Sequence, residues 1–250
     1  PAPARRNPRG SVRRMNNGRV YLWEPAQTGA RAGTVCTAVV PLPRLDADGR
    51  GRLWGRYVRV RNAGWVNVCD AATGEIRSLP IGDARPNEEG DFVFAPGGGG
   101  DRLDKVLLTA PDVIRRNIQA VHFGEVNTYY HLDRMAAYLH ALLDALGAPP
   151  LPRVTAVVNA HHAVTAWDGI RRDDGWVAFQ GGHYRLPGLH LTVREYAPVS
   201  PEGEIHLGPG RQLQEYGALT AAAGEWYRAN ASHNAGILYH EYGHHLTRHT

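Results

Sequence analysis

Three residues near the end of the sequence have the types and the spacing of a metal centre. His240, Glu241 and His244 form the pattern H-E-x-x-H. On a helix, residues four apart share a face, so the two imidazoles can converge on one cation. Glu241 lies beside them, where its carboxylate can orient a water molecule and accept its proton. Zinc would lower the pKa of that water to about 7 and make a hydroxide nucleophile available at neutral pH.

The residues around this pattern favour a half-buried helix over residues 235–250. Apolar Ile237, Leu238 and Leu246 flank the motif at helical spacing. The alternative is a histidine-rich helix that matches the pattern by chance, since the chain contains 13 histidines. The apolar flanks favour the metal helix.

The metal donors are incomplete within this pattern. A catalytic zinc usually has three protein ligands and one open position. The extended pattern H-E-x-x-H-x-x-G-x-x-H needs a glycine and a histidine where this chain has Thr247 and Thr250. His249 is one residue out of phase, which directs it about 100° away on a continuing helix. The sequence therefore predicts two histidine ligands and a third donor from elsewhere.

Other histidines are weaker candidates for metal ligands. His131 and His140 lie on a predicted helix, where packing or surface roles are the commoner ones. His161 and His162 follow a predicted strand, but adjacent side chains of an extended segment point in opposite directions. We therefore expect none of these four residues to join the site.

Composition is typical of a globular protein. The chain has 250 residues, of which 43% are apolar and 21% are charged, enough for one large or two small domains. It contains no uninterrupted apolar run of about 18 residues, so no membrane span is predicted.

The formal charge of +4 comes almost wholly from arginine. Residues 1–18 form an arginine-rich segment without acidic residues, which could bind nucleic acid or another anionic surface. The alternative is a flexible arm, which we favour because no aromatic residues alternate with the arginines. Nucleic acid is therefore not expected as a partner.

Cys36 and Cys69 are the two cysteines of the chain. A disulfide between them would close a loop of about 33 residues and stabilise the fold by roughly 3–4 kcal/mol in the chain-entropy model. Such a bridge is typical of an exported protein and predicts a secreted or cell-envelope location. Two separate buried thiols are the alternative.

Residues 19–95 are predicted to form a β-rich, sandwich-like domain. Turns rich in glycine, proline and aspartate separate its short β-branched and aromatic runs. These predicted strands cover residues 20–23, 34–40, 56–61 and 91–94. Residues 96–100 read Pro-Gly-Gly-Gly-Gly and are the best linker candidate, so a domain boundary is expected there.

Residues 101–250 have a mixed helix and strand pattern. Helical spacing covers residues 112–120 and 125–146, and buried strands are predicted at 154–159 and 175–179. Residues 213–228 are ambiguous between a helix and a long loop. A short strand at 204–208 ends in Gly-Pro-Gly and is predicted to lie at a sheet edge, where Ile205, His206 and Leu207 would bind an extended peptide substrate through main-chain hydrogen bonds. An ordinary edge strand that binds no substrate is the alternative.

Residues 123–134, 205–210 and 237–245 together resemble the fungalysin and thermolysin-like gluzincins, and the exported bacterial members most closely. The resemblance covers roughly residues 90–250. It implies an α+β fold in which a thermolysin-like lobe ends in the H-E-x-x-H helix. It also implies zinc-dependent hydrolysis of peptide bonds, with His240 and His244 as ligands and Glu241 as the general base.

The third zinc ligand of this family is a glutamate on a later helix. By the resemblance, that helix and a carboxy-terminal lobe would follow Thr250. Residues 101–250 are therefore expected to be an amino-terminal catalytic lobe whose partner lobe is absent from this chain, because the chain is a fragment or is completed by another chain. The alternative is a catalytically inactive cell-envelope or scaffold protein that retains the fold.

Overall fold

The computed structural model describes residues 15–22, 37–46, 51–69, 72–96, 111–163, 176–178, 181–187, 199–209 and 230–250. These residues form a mixed α+β structure, which confirms the predicted class. The strands are β1 (Asn17–Tyr21), β2 (Thr37–Pro41), β3 (Val58–Asn62), β4 (Trp65–Cys69), β5 (Ile76–Pro80), β6 (Val154–Val158), β7 (His161–Ala163), β8 (Trp176–Ala178), β9 (Gly182–Arg185) and β10 (Glu204–Leu207). The helices are α1 (Pro111–Ala145), a 3₁₀-helix (Ala231–His233) and α2 (Ala235–His249).

A four-stranded sheet with the order β3-β6-β10-β9 organises the described residues. Strands β3, β6 and β10 run parallel, and β9 pairs antiparallel with β10. Every residue of β6 and β10 is buried, as is usual for parallel strands covered on both faces. The other described strands form the two-stranded pairs β1-β2, β4-β5 and β7-β8.

The prediction that residues 204–208 form an edge strand is wrong. Strand β10 is paired on both sides, with β6 and with β9, and Ile205, His206 and Leu207 are each 0% exposed. The two polar side chains of this strand bond each other in the interior, since His206 Nε2 lies 2.8 Å from Glu204 Oε2. In the described sheet the outer position belongs to β9.

The predicted division between a 19–95 domain and a 101–250 lobe does not appear in the described core. Strand β3 lies in the first segment and pairs along its whole length with β6 of the second. Strand β1, which also lies in the first segment, packs against α1 of the second. Side chains from both segments share one hydrophobic core.

Helix α1 is one continuous helix of 35 residues, about 52 Å long, instead of the two predicted helices. Its buried face repeats every three or four residues, through Phe123, Val126, Tyr129, Leu132 and Ala136. Gly124 lies in its middle, where the 3₁₀-helix crosses so closely that a Cβ atom would overlap the Ser232 hydroxyl. The missing side chain therefore permits the helix to pass.

His131 ties three elements together from α1. Its Nε2–H donates to the Tyr21 carbonyl at 2.9 Å, and its Nδ1 lies 2.8 Å from the Tyr239 hydroxyl of α2. A neutral imidazole satisfies both contacts, with Nδ1 accepting from the hydroxyl. Burial lowers the pKa of His131 to about 4, which keeps the ring neutral at physiological pH.

Several sequence-based predictions concern residues outside the described ranges. Residues 1–14 of the arginine-rich segment, Cys36, and residues 213–228 lie there. Cys69 ends β4, but its side chain is not among those described, so the disulfide stays a prediction. None of the described helices combines the length and the apolar character needed to cross a membrane.

Replacing Gly124 with alanine should destabilise the protein by about 1–3 kcal/mol, because the added methyl group overlaps Ser232 in a filled interior. Gly243→Ala is the matched control, since this helical glycine has no neighbouring atom within 4 Å of its would-be Cβ. The control should stabilise helix α2 by up to about 1 kcal/mol. Urea unfolding measures both variants, and an equal response would contradict the close crossing.

Stability should fall as the pH decreases from 6.5 toward 4. Burial lowers the pKa values of His131 and His233 from 6.5 to about 4, so the unfolded chain binds protons that the folded protein excludes. Each histidine should remove about 2 kcal/mol of stability between about pH 7 and pH 5. The His131→Gln variant should lose about 2 kcal/mol less than the parent over this range in urea titrations at both pH values. An unchanged pH dependence would rule out a buried neutral His131.

Candidate metal centre

Helix α2 begins where Asn234 caps it. The Asn234 side chain accepts a hydrogen bond from the Ile237 backbone N–H at 3.0 Å, which satisfies one free donor of the first turn. Leu238 and Tyr242 are 0% exposed and pack into the core. His240 and His244 lie on the other side of the helix and are exposed. The amphipathic pattern therefore sets the rotation of the helix and directs both histidines outward.

The two histidines converge as the motif predicts. His240 Nε2 and His244 Nε2 are 3.2 Å apart, and the ring planes are perpendicular at 90° with centroids 4.8 Å apart. Two nitrogens bound at about 2.0–2.1 Å to a tetrahedral zinc are separated by about 3.3–3.4 Å. The spacing of this pair therefore fits a zinc ion without rearrangement of the helix.

Glu241 lies between the helix and strand β9. A Cβ atom on Gly182 would be 2.7 Å from Glu241 Cγ, so the strand backbone covers the side chain directly. The carboxylate accepts a hydrogen bond from the Tyr184 backbone N–H. Burial raises the pKa of Glu241, while His240, His244 and this hydrogen bond act in the opposite direction, and the net shift is upward.

A pocket of about 510 Å³ opens beside the histidine pair. One wall is strand β9 and the residue after it, and the other is the outward face of α2. The lining residues are Gly182, His183, Tyr184, Leu186, His240, Glu241, His244, Thr247 and Arg248. The pocket is large enough for a segment of peptide and brings it against the two imidazoles.

Strand β9 is held against the helix by hydrogen bonds behind the pocket. The Tyr184 hydroxyl donates to the Glu202 carbonyl at 2.6 Å and lies 2.9 Å from His245 Nδ1. His245 is fully buried, and its Nε2–H donates to the Pro152 carbonyl at 3.0 Å. These contacts join the sheet edge and the helix that carries the histidine pair.

His249 does not join the pair, in agreement with its predicted phase. Its Nε2–H donates to the Glu202 carbonyl at 3.0 Å, and its ring stacks edge-on against His245. The described residues include no group of three or more His, Cys, Asp or Glu side chains arranged to hold a metal ion. The candidate donors that the described residues bring together are therefore His240 and His244.

The predicted substrate-binding residues Ile205, His206 and Leu207 belong to β10, the strand beside β9 in the sheet, and do not line the pocket. Gly182, His183 and Tyr184 line the pocket instead, and sequence patterns missed them because this segment lacks the alternation of a strand with one wet face. The pair Gly181-Gly182 was a usable signal, since glycine in a strand often marks a close approach of another backbone or side chain.

No protein-family model, curated protein or solved structure matches this chain.

Replacing His240 or His244 with alanine should weaken zinc binding by about 100-fold or more, a loss at least as large as that from removing outer-shell partners of a metal ligand. His249→Ala is the matched control on the same helix and should leave zinc affinity unchanged, because His249 bonds the Glu202 carbonyl. Competition with a chromophoric chelator measures all three affinities. Equal losses in the three variants would show that zinc is not bound by the pair.

Proposed function

We propose that the chain carries part of the active site of a zinc-dependent endopeptidase. The observation that supports this most strongly is the 3.2 Å separation of His240 Nε2 and His244 Nε2, with the Glu241 carboxylate beside them. The resemblance of residues 237–245 to the gluzincins points to the same chemistry. We further propose that the described residues form a lobe of the thermolysin-like type.

His240 and His244 would hold the zinc ion through their Nε2 atoms. When bound, zinc polarises the scissile carbonyl and lowers the pKa of a water molecule. Glu241 would accept the proton of that water and pass it to the leaving amine. The raised pKa of Glu241 suits this role, because a more basic carboxylate accepts the proton of the water molecule more readily.

Strand β9 would bind the substrate backbone in place of the predicted Ile205–Leu207 segment. It pairs with β10 on one side, and its other side faces the pocket. On that side the Tyr184 backbone N–H donates a hydrogen bond to the Glu241 carboxylate. An extended peptide that adds to this side would place its carbonyl groups close to the Glu241 carboxylate and the histidine pair. Main-chain hydrogen bonds would then align the scissile bond with the base.

The third zinc donor would come from outside the described residues. The gluzincin resemblance implies a glutamate from a further helical segment, contributed by the same or another chain. An inactive scaffold protein is the second candidate function, and the two-donor set of the described residues is the observation that favours it. Both candidate functions use the same fold, and only the endopeptidase would hydrolyse peptide bonds.

The Glu241→Gln variant should keep its zinc and lose peptide hydrolysis by about 10²–10⁴-fold, because the amide preserves the shape of the side chain but cannot accept a proton. Zinc content and hydrolysis of a casein-type substrate are measured on the same preparations, with and without chelator. His249→Ala serves as the control that should keep activity. Hydrolysis that survives both the substitution and the chelator would contradict the proposal. Stoichiometric zinc without turnover in the parent would favour the scaffold.

A further inference from the structure

Arg248 places a permanent positive charge in the pocket beside the histidine pair. It is exposed, lies on the last turn of α2 and lines the same cavity as His240, Glu241 and His244. Its charge also acts on the Tyr184 hydroxyl and lowers the pKa of that group, against the larger effect of burial. Among the described residues, no carboxylate lies within 4.0 Å of its guanidinium. The charge is therefore directed at whatever occupies the pocket.

The described pocket lining contains a single acidic side chain, Glu241, which faces β9. That carboxylate is 4% exposed and already accepts the Tyr184 N–H. The other titratable residues of the lining are His183, Tyr184, His240 and His244, none of which carries negative charge at neutral pH. The chain as a whole has a formal charge of +4, which favours the approach of acidic peptides.

The position of Arg248 determines the distance between a bound substrate carboxylate and the scissile bond. Arg248 is four residues after His244, or about 6 Å along the helix axis. An extended peptide rises about 3.3 Å per residue, so this distance corresponds to about two residues of substrate. A carboxylate within about two residues of the scissile bond would reach the guanidinium, which binds carboxylates through paired N–H donors.

We propose that Arg248 selects peptides with a carboxylate close to the scissile bond. This inference depends on the proposed peptidase function, because it assigns the substrate class of the same pocket. The carboxylate can belong to an Asp or Glu side chain or to the free carboxy terminus of the peptide. Both sources present the same group to the guanidinium.

Binding of fluorescent peptides tests the inference without requiring turnover. The full chain with Glu241→Gln is loaded with zinc and added to the labelled peptides, and binding is followed by fluorescence anisotropy. The peptides carry Glu, Gln or Lys at one of the two positions on either side of a central bond and are otherwise identical. Each peptide is prepared with a free and with an amidated carboxy terminus. The Glu peptide should bind about fivefold more tightly than the Gln peptide, as for an exposed ion pair. If amidation of the carboxy terminus lowers the affinity and exchange of the Glu side chain does not, the terminal carboxylate is the group recognised.

Three variants, each made in the Glu241→Gln background, separate Arg248 from general charge effects. Arg248→Ala should remove the preference, and Arg248→Glu should reverse it in favour of the Lys peptide. Arg56→Ala removes the same charge from an exposed residue whose guanidinium lies over Tyr57 and outside the pocket lining, and it should leave the preference unchanged. Equal binding of the Glu, Gln and Lys peptides, in both terminal forms, would overturn the inference. Metal-dependent cleavage of neutral peptides would still support the peptidase function in that case.

Discussion

The burial of one face of helix α2 determines the rest of the candidate site. Leu238 and Tyr242 are completely buried, and each large apolar side chain removed from water contributes about 1.5–3 kcal/mol. A rotation of the helix by one residue, about 100°, would expose both of them. The same rotation would turn His240 and His244 away from the pocket. The hydrophobic core therefore sets the direction of the two imidazoles, although neither of them belongs to it.

Close backbone approaches fix the neighbours of that helix. At Gly182 the strand β9 lies directly over Glu241, and at Gly124 helix α1 passes the 3₁₀-helix that precedes α2. The 3₁₀-helix is itself held by buried polar contacts, since the Asn230 side chain accepts from both the Ser232 backbone N–H and the Ser232 hydroxyl. Two glycines and a polar turn thus position the start of α2 and the strand beside it.

The sequence predicted the local parts of this structure well and its long-range pairings poorly. The H-E-x-x-H helix, the phase of His249 and the buried strand β6 follow from periodicity, which is a local property. The sheet order does not, because β3 and β6 are about 96 residues apart and nothing in either segment specifies the other. The glycine residues after β10 favour an edge position, but β9 covers that side of the strand, and nothing in the β9 sequence specifies this pairing. Strand β9 has too little β-branched or alternating character to be recognised.

A crystal structure of the zinc-loaded protein, with anomalous data collected at the zinc absorption edge, tests the central claim most directly. We expect one anomalous peak about 2.0–2.1 Å from both His240 Nε2 and His244 Nε2, with the Glu241 carboxylate beside it. A structure whose zinc lies elsewhere, or whose two rings diverge into separate contacts, would contradict it.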